Sequence, residues 1–381
     1  MNEFLIGTKN YDMDWYLHYE LSYEDAVKLL RDSGISFVMS QSRYLQMADS
    51  AVNSETTPAM EARLASYDDL KFREALAKEG IDYWITVCSF FNPQAIANDP
   101  TLRPMGSNGK PMEMIDWYIG IPPSRKDYVA QQIEDIATAT TALQPEGVFL
   151  SFTRWPGFWE LWMPHHTRKD FPEYSYDSYT LERFSKETGI DIPFTDPIQA
   201  AAWIDENVRS NWTSWKCELV TDFVRQCRAA VRSIKSDVQI MINTLPFGAH
   251  DYDNARDKTY GQNLESLADV VDIFEVMTYH QILKRPISWI PQIGQEVKQR
   301  TGKKTVCTIQ AEPLYLHGIH ESENRAPTLS ADEFENAVSA VEGASLDGVV
   351  VFIWSDLLRF ALKQNDLQRR DVLLSSIAKR N

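Results

Sequence analysis

Cysteine is scarce in this chain: there are four in 381 residues, Cys88, Cys217, Cys227 and Cys307, and no two stand in a CxxC spacing. That spacing argues against a disulfide framework and a cysteine-ligated metal site, and free thiols in a reducing compartment are the expected state. Basic residues are short as well. The 38 Lys and Arg against 54 Asp and Glu leave a net charge of -16, which argues against nucleic acid or an anionic membrane as a partner. No apolar run reaches the length that spans a bilayer. No glycine-rich phosphate turn follows the first strand-like stretch, and P-loop, GxSxG elbow and zincin helix are all missing, so the corresponding chemistries lack their signatures. Neither a repeat of solenoid period nor a linker interrupts the chain, so residues 1–381 are expected to form one domain. Strand-like Phe4-Leu5-Ile6-Gly7 comes almost at once and leaves no room for a secretion signal. The expected location is cytoplasmic, or exported with the signal segment absent from this chain.

What the sequence has in quantity is alternation. Strand-type stretches at 4–8, 35–42, 81–89, 148–153, 238–243, 272–279, 305–311 and 349–354 are separated by helix-type stretches, among them 23–32, 68–78, 125–143, 211–234, 287–301 and 331–341. Eight strand–helix units predict an α/β fold, a single (β/α)8 TIM barrel. Long irregular inserts follow strand three (91–123) and strand four (157–176), on the face where barrels carry their active sites.

Chemistry in such a barrel belongs to the C-terminal ends of the strands. Strand four is the richest: Phe149, Ser151 and Thr153 share one face, and the loop beyond carries Arg154, Trp155, Trp159 and Glu160. Large aromatics in a loop either fold down as a satellite core or wall a pocket for a flat-faced ligand such as a sugar ring. The other strand ends offer Lys9 and Asn10, Gln41 and Arg43, Asn92, Asn243, then Glu275, Tyr279 and His280, then Gln310 and Glu312, and finally Trp354 and Asp356. A carboxylate in an apolar strand needs a partner. For Glu275 the expected partner is a barrel arginine such as Arg43; Asp356 reads equally well as a helix cap. His165-His166 and the Asp251, Asp253, Asp257 group lack a convincing ligand spacing, so no metal and no cofactor is implied.

Paired carboxylates across an aromatic-walled mouth are what glycosidic bond cleavage needs: one protonates the leaving oxygen, the other attacks the anomeric carbon or activates water. Glu312 is the first choice for acid/base work, with Glu275 and Glu160 in reserve. Arg154, Trp155, Trp159, Tyr279, His280, Gln310, Trp354, Asp356, Asn92 and Arg43 are the expected carbohydrate contacts. The competing reading is a carbohydrate-binding barrel without catalysis; a lyase or isomerase is a third.

Four stretches carry a resemblance: GVFLSFTRWP at 147–156, VDIFEVMTYH at 271–280, TIQAEP at 308–313 and VVVFIWSD at 349–356. They resemble bacterial glycosyl-hydrolase-like (β/α)8 barrels, distantly similar to family-10 and family-18 glycoside hydrolases. The resemblance implies a glycoside hydrolase acting on an oligo- or polysaccharide. It also implies a sugar platform at Trp354, where such barrels keep an eighth-strand tryptophan. In those relatives the fourth strand ends in an aspartate at the place held here by Ser151. A hydroxyl cannot serve as a carboxylate does. Relocated chemistry, a non-catalytic sugar binder and an inactivated variant are the three readings of that departure.

Overall fold

The computed structural model describes residues 4–45, 57–313 and 325–378. Eight strands, β1 (Leu5–Asn10), β2 (Phe37–Ser40), β3 (Asp82–Cys88), β4 (Gly147–Ser151), β5 (Gln239–Thr244), β6 (Ile273–Val276), β7 (Lys304–Gln310) and β8 (Gly348–Phe352), run parallel and close in sequence order into one barrel. Closure is made by β1, which pairs with β2 through Gly7 opposite Phe37 and with β8 through Gly7 opposite Val350. The eightfold alternation therefore does predict the architecture. No helix among the described residues is long and apolar enough to cross a membrane.

The strands separate two cores by parity. Phe37, Met39, Trp84, Phe149, Met241, Ile273, Val306 and Val350 fill the barrel interior, while the alternate residues, such as Val38, Ile85, Val148, Leu150 and Ile242, pack outward with the helices. Interior packing depends on two glycines: a Cβ on Gly7 would overlap the Phe37 ring, and one on Gly147 would overlap the Trp84 indole. The absent side chains let these aromatics cross the barrel. Above this layer the inward positions turn polar, with Lys9, Ser151, Asn243 and Glu275 all buried.

Helix starts follow their capping residues. Ser22 Oγ accepts from the Asp25 amide at 3.0 Å at the head of Tyr23–Asp32, and Asp68 caps Asp69–Lys78. Prolines occupy the first turn of helices Pro58–Ala65, Pro93–Asn98 and Pro197–Asn207, where a missing N–H costs nothing. Asn92 is accordingly a cap, its Oδ1 accepting from the Ala95 amide at 2.6 Å.

The two inserts are stitched to each other: the Ser107 amide donates to the Glu173 carbonyl at 2.8 Å, and the Tyr176 amide to the Met105 carbonyl at 3.0 Å. Beneath them Glu173 is buried under three cations, Lys216 at 2.6 Å, Arg209 at 2.9 Å and Arg168 at 3.4 Å. Burial pushes its carboxyl up, but the Lys216 and Arg209 charges outweigh it and hold it down to about 2. Glu173→Gln is expected to lower stability by about 3–5 kcal/mol near neutrality, because it leaves buried Lys216 without its counter-charge. A carboxyl depressed in the folded state stabilises fully above its unfolded pKa of about 4.3 and progressively less below it. The gap between parent and variant in denaturant melts should narrow as pH falls from there toward about 2. A gap constant with pH would mean that Glu173 is not held as a carboxylate.

Candidate active site

At the C-terminal ends of the strands a cavity of about 440 Å³ opens above the interior core. Its floor is Lys9 from the end of β1. The ammonium lies 3.2 Å from Glu275 Oε1 and 3.4 Å from the Tyr279 hydroxyl, over the Phe149 and Phe352 rings at 5.2 and 5.4 Å. Burial pulls the Lys9 amine down and the Glu275 carboxyl up, and each opposes the shift in the other. Arg43, the expected partner of Glu275, faces away from the cavity. It follows β2 in a turn, donates to the Ala65 carbonyl at 3.1 Å and pairs with Asp69 at 3.6 Å.

Ser151, the last residue of β4, lines the cavity. Asn243 Nδ2 from β5 donates to its Oγ at 3.3 Å, and the Tyr11 side chain shares the cavity wall with it. The strand was expected to run to Thr153 with strict alternation. It stops at Ser151 because Phe152 takes a left-handed conformation, φ 54. Phe152 therefore joins the cavity wall, while Thr153 folds back to bond the Leu150 carbonyl at 3.0 Å. The next residue on the wall is Arg154, 2% exposed, its guanidinium over the Phe152 and Tyr118 rings at 5.3 and 5.7 Å.

The inserts complete the enclosure. Phe91 and Trp117 from the first, and Trp159 and Glu160 from the second, line the cavity. Trp159 stacks on Tyr279 with centroids 5.8 Å apart at 25°. Glu160 is 4% exposed. Burial raises its carboxyl to about 7 against the opposing charges of Arg154 and Arg325. A group at that value carries a proton part of the time at neutral pH, which is what a general acid requires. Asp12, just beyond β1, adds a second carboxylate to the wall; it accepts from the Ser355 hydroxyl at 2.6 Å and from the Asp14 amide at 3.1 Å.

Of the expected residues, Ser151, Arg154, Trp159, Glu160 and Tyr279 thus line one cavity, with Glu275 beneath it. Others are placed elsewhere. Glu312 lies outside the cavity wall and pairs with Arg359, which also lies 3.7 Å from Asp356. Asp356 is pushed up to about 7 by burial and by Glu312. Gln310 donates to the Glu312 carbonyl at 3.2 Å. His280 turns outward because β6 already ends at Val276, and its Nε2 meets Glu333 at 2.9 Å. Trp155 is wholly buried, donating to the Lys216 carbonyl at 3.1 Å.

Trp354 is also placed away from the cavity. The last strand ends at Phe352, and Trp354 opens the helix Trp354–Leu358, which packs its indole 5.8 Å from Trp15. Trp354→Ala should therefore cost about 3–5 kcal/mol of stability and leave sugar binding by the folded fraction unchanged. Weaker binding in a fully folded variant would make it a platform after all. Tyr11, Asp12, Phe91, Trp117 and Phe152 were missed. Tyr11 and Asp12 directly follow the two strand-end residues that were singled out, so reading one turn further would have found them.

No protein-family model matches this sequence, and no curated protein matches it. Solved structures do. The glycoside hydrolase domain of PgaB (BpsB) from Bordetella bronchiseptica superposes with a TM-score of 0.64 at 14% identity, over 97% of this chain and 99% of that one. The catalytic domain of beta-amylase from Paenibacillus polymyxa gives 0.57 at 10%, over 100% and 99%. The beta-galactosidase from Rahnella sp. R3 gives 0.60 at 11%, over 92% of this chain and 50% of that one. At these identities the likeness is one of fold, and the fold is that of glycoside hydrolase (β/α)8 barrels.

Proposed function

We propose that this barrel is a glycoside hydrolase whose proton donor is Glu160 and whose second carboxylate position is held by Ser151. The observation that carries the reading is Glu160, a buried carboxyl held near neutrality in the wall of an aromatic-lined cavity. Trp159, Tyr279 and Trp117 offer faces for sugar rings, and Asn243, Gln41 and Arg154 offer donors for hydroxyls. Glu160 protonates the leaving oxygen. The opposite side of the ring needs a carboxylate that the parent chain lacks at strand four, so among the described residues Asp12 is the remaining acid on the wall and turnover is expected to be slow. A panel of aryl glycosides and oligosaccharides tests this: release of a hydrolysed product supports the enzyme.

A second reading, a carbohydrate-binding barrel without turnover, is favoured by one feature. Lys9 neutralises Glu275, and with Ser151 in place the strand ends supply, among the described residues, no free carboxylate to the cavity floor. Sugar binding with no product, in parent and Ser151→Asp alike, would select it.

A further inference from the structure

Two cations line the cavity among the described residues, and they differ in one respect. Lys9 is engaged by Glu275 and Tyr279. Arg154 is 2% exposed, and its guanidinium makes no hydrogen bond or ion pair among the described residues; Nε and Nη1 are both buried without a partner. An arginine cannot shed its charge at any ordinary pH, so burying one unpaired is costly. The Tyr118 and Phe152 faces offset part of that cost. They cannot satisfy its N–H donors.

We infer that Arg154 is the recognition site for an anionic substituent on the sugar, and that the substrate is a uronic acid residue whose carboxylate ion-pairs with it. This rests on the proposed carbohydrate reading and narrows it. A planar guanidinium meets a planar carboxylate with two parallel hydrogen bonds, whereas a neutral hydroxyl takes one. The site is placed for this: the turn at Phe152 brings Arg154 into the same wall as Glu160 and Trp159, so one ring can stack and present its carboxylate together. The net charge of -16 repels long polyanions, which points to a single or chain-terminal uronate. Arg154 also lowers the Glu160 carboxyl; a bound carboxylate would cancel that influence and favour the protonated acid.

The test is calorimetric titration of the intact protein with glucuronate- and galacturonate-terminated disaccharides, their methyl esters, their neutral counterparts and the matching sulfate esters. Parent protein should bind a uronate at least about tenfold more tightly than its methyl ester, with proton uptake in buffers of differing ionisation enthalpy. Arg154→Gln should erase that preference and Arg154→Lys keep part of it, each with a thermal melt to show it is folded. Equal affinity for uronate and ester overturns the inference, as does a preference that survives Arg154→Gln, preference for the sulfate ester, or no binding of any uronate. Hydrolysis is followed separately: uronate binding without product keeps this inference and removes the hydrolase reading, and hydrolysis of neutral and acidic sugars alike does the reverse.

Discussion

Ser151→Asp should raise glycoside turnover by about two powers of ten or more, since a missing catalytic carboxylate commonly costs at least that. Several features of the wall make the substitution feasible. Ser151 is the last residue of β4 and points into the cavity, so added atoms extend into open space rather than into packing. Asn243 Nδ2, 3.3 Å from the serine oxygen, already addresses this spot and would donate to a carboxylate there. Donors of that kind favour the ionised form, which a nucleophile or base needs, while Glu160 stays the protonated partner. The measurement is kcat/KM for parent and variant on whichever glycoside shows binding, with a melt to confirm that the fold is unchanged. A parent that already turns over, and a folded variant that does so no faster, would sink the vacated-position idea and leave the chemistry to Glu160 and Asp12.

Strand four shows why the barrel was readable and its site only partly so. Burial on both faces of a parallel strand leaves a run such as Val148-Phe149-Leu150, and eight such runs with helices between them have few other solutions. That information is local. The departure at Phe152 is local too, yet a positive φ on a phenylalanine has no sequence signature, and it decides which of Phe152 and Thr153 faces the ligand. The Glu275 partner is a different kind of miss. An apolar strand with one glutamate demands a cation, and the expected one was a barrel arginine such as Arg43. Only closure of the barrel, which sets β1 across from β6, chooses the lysine. Trp155 and Trp354 failed for a third reason: tryptophan stabilises a core and a sugar platform by the same surface, so residue type alone does not separate them. Glu312 looked best placed because it ends a strand before a proline, and the structure gives it to Arg359.

Glu160→Gln should lower hydrolysis by about two to four powers of ten, the usual contribution of a positioned general acid. The variant is nearly isosteric, so the cavity keeps its shape and sugar binding should change little. The effect is to be read in the parent and, with more signal, in the Ser151→Asp background. Because the protonated form is the working one, kcat/KM in the unmodified Glu160 protein should fall as pH rises through about 7, and that limb should vanish in the glutamine variant. Stability supplies a second readout of the same proton. A carboxyl raised from about 4.3 unfolded to about 7 folded binds its proton more tightly in the native state, so the folded form loses stability as pH climbs through that window. The loss is on the order of 3 kcal/mol for an unscreened, fully buried group. The glutamine variant should show no such decline and should be the more stable protein above pH 7. Glu312→Gln is the internal control, since its carboxylate engages Arg359 outside the cavity wall and should alter turnover by no more than a few-fold. If Glu312→Gln instead removes activity while Glu160→Gln keeps it, the proton comes from the rim of β7 and the cavity built by the two inserts is not where the bond breaks.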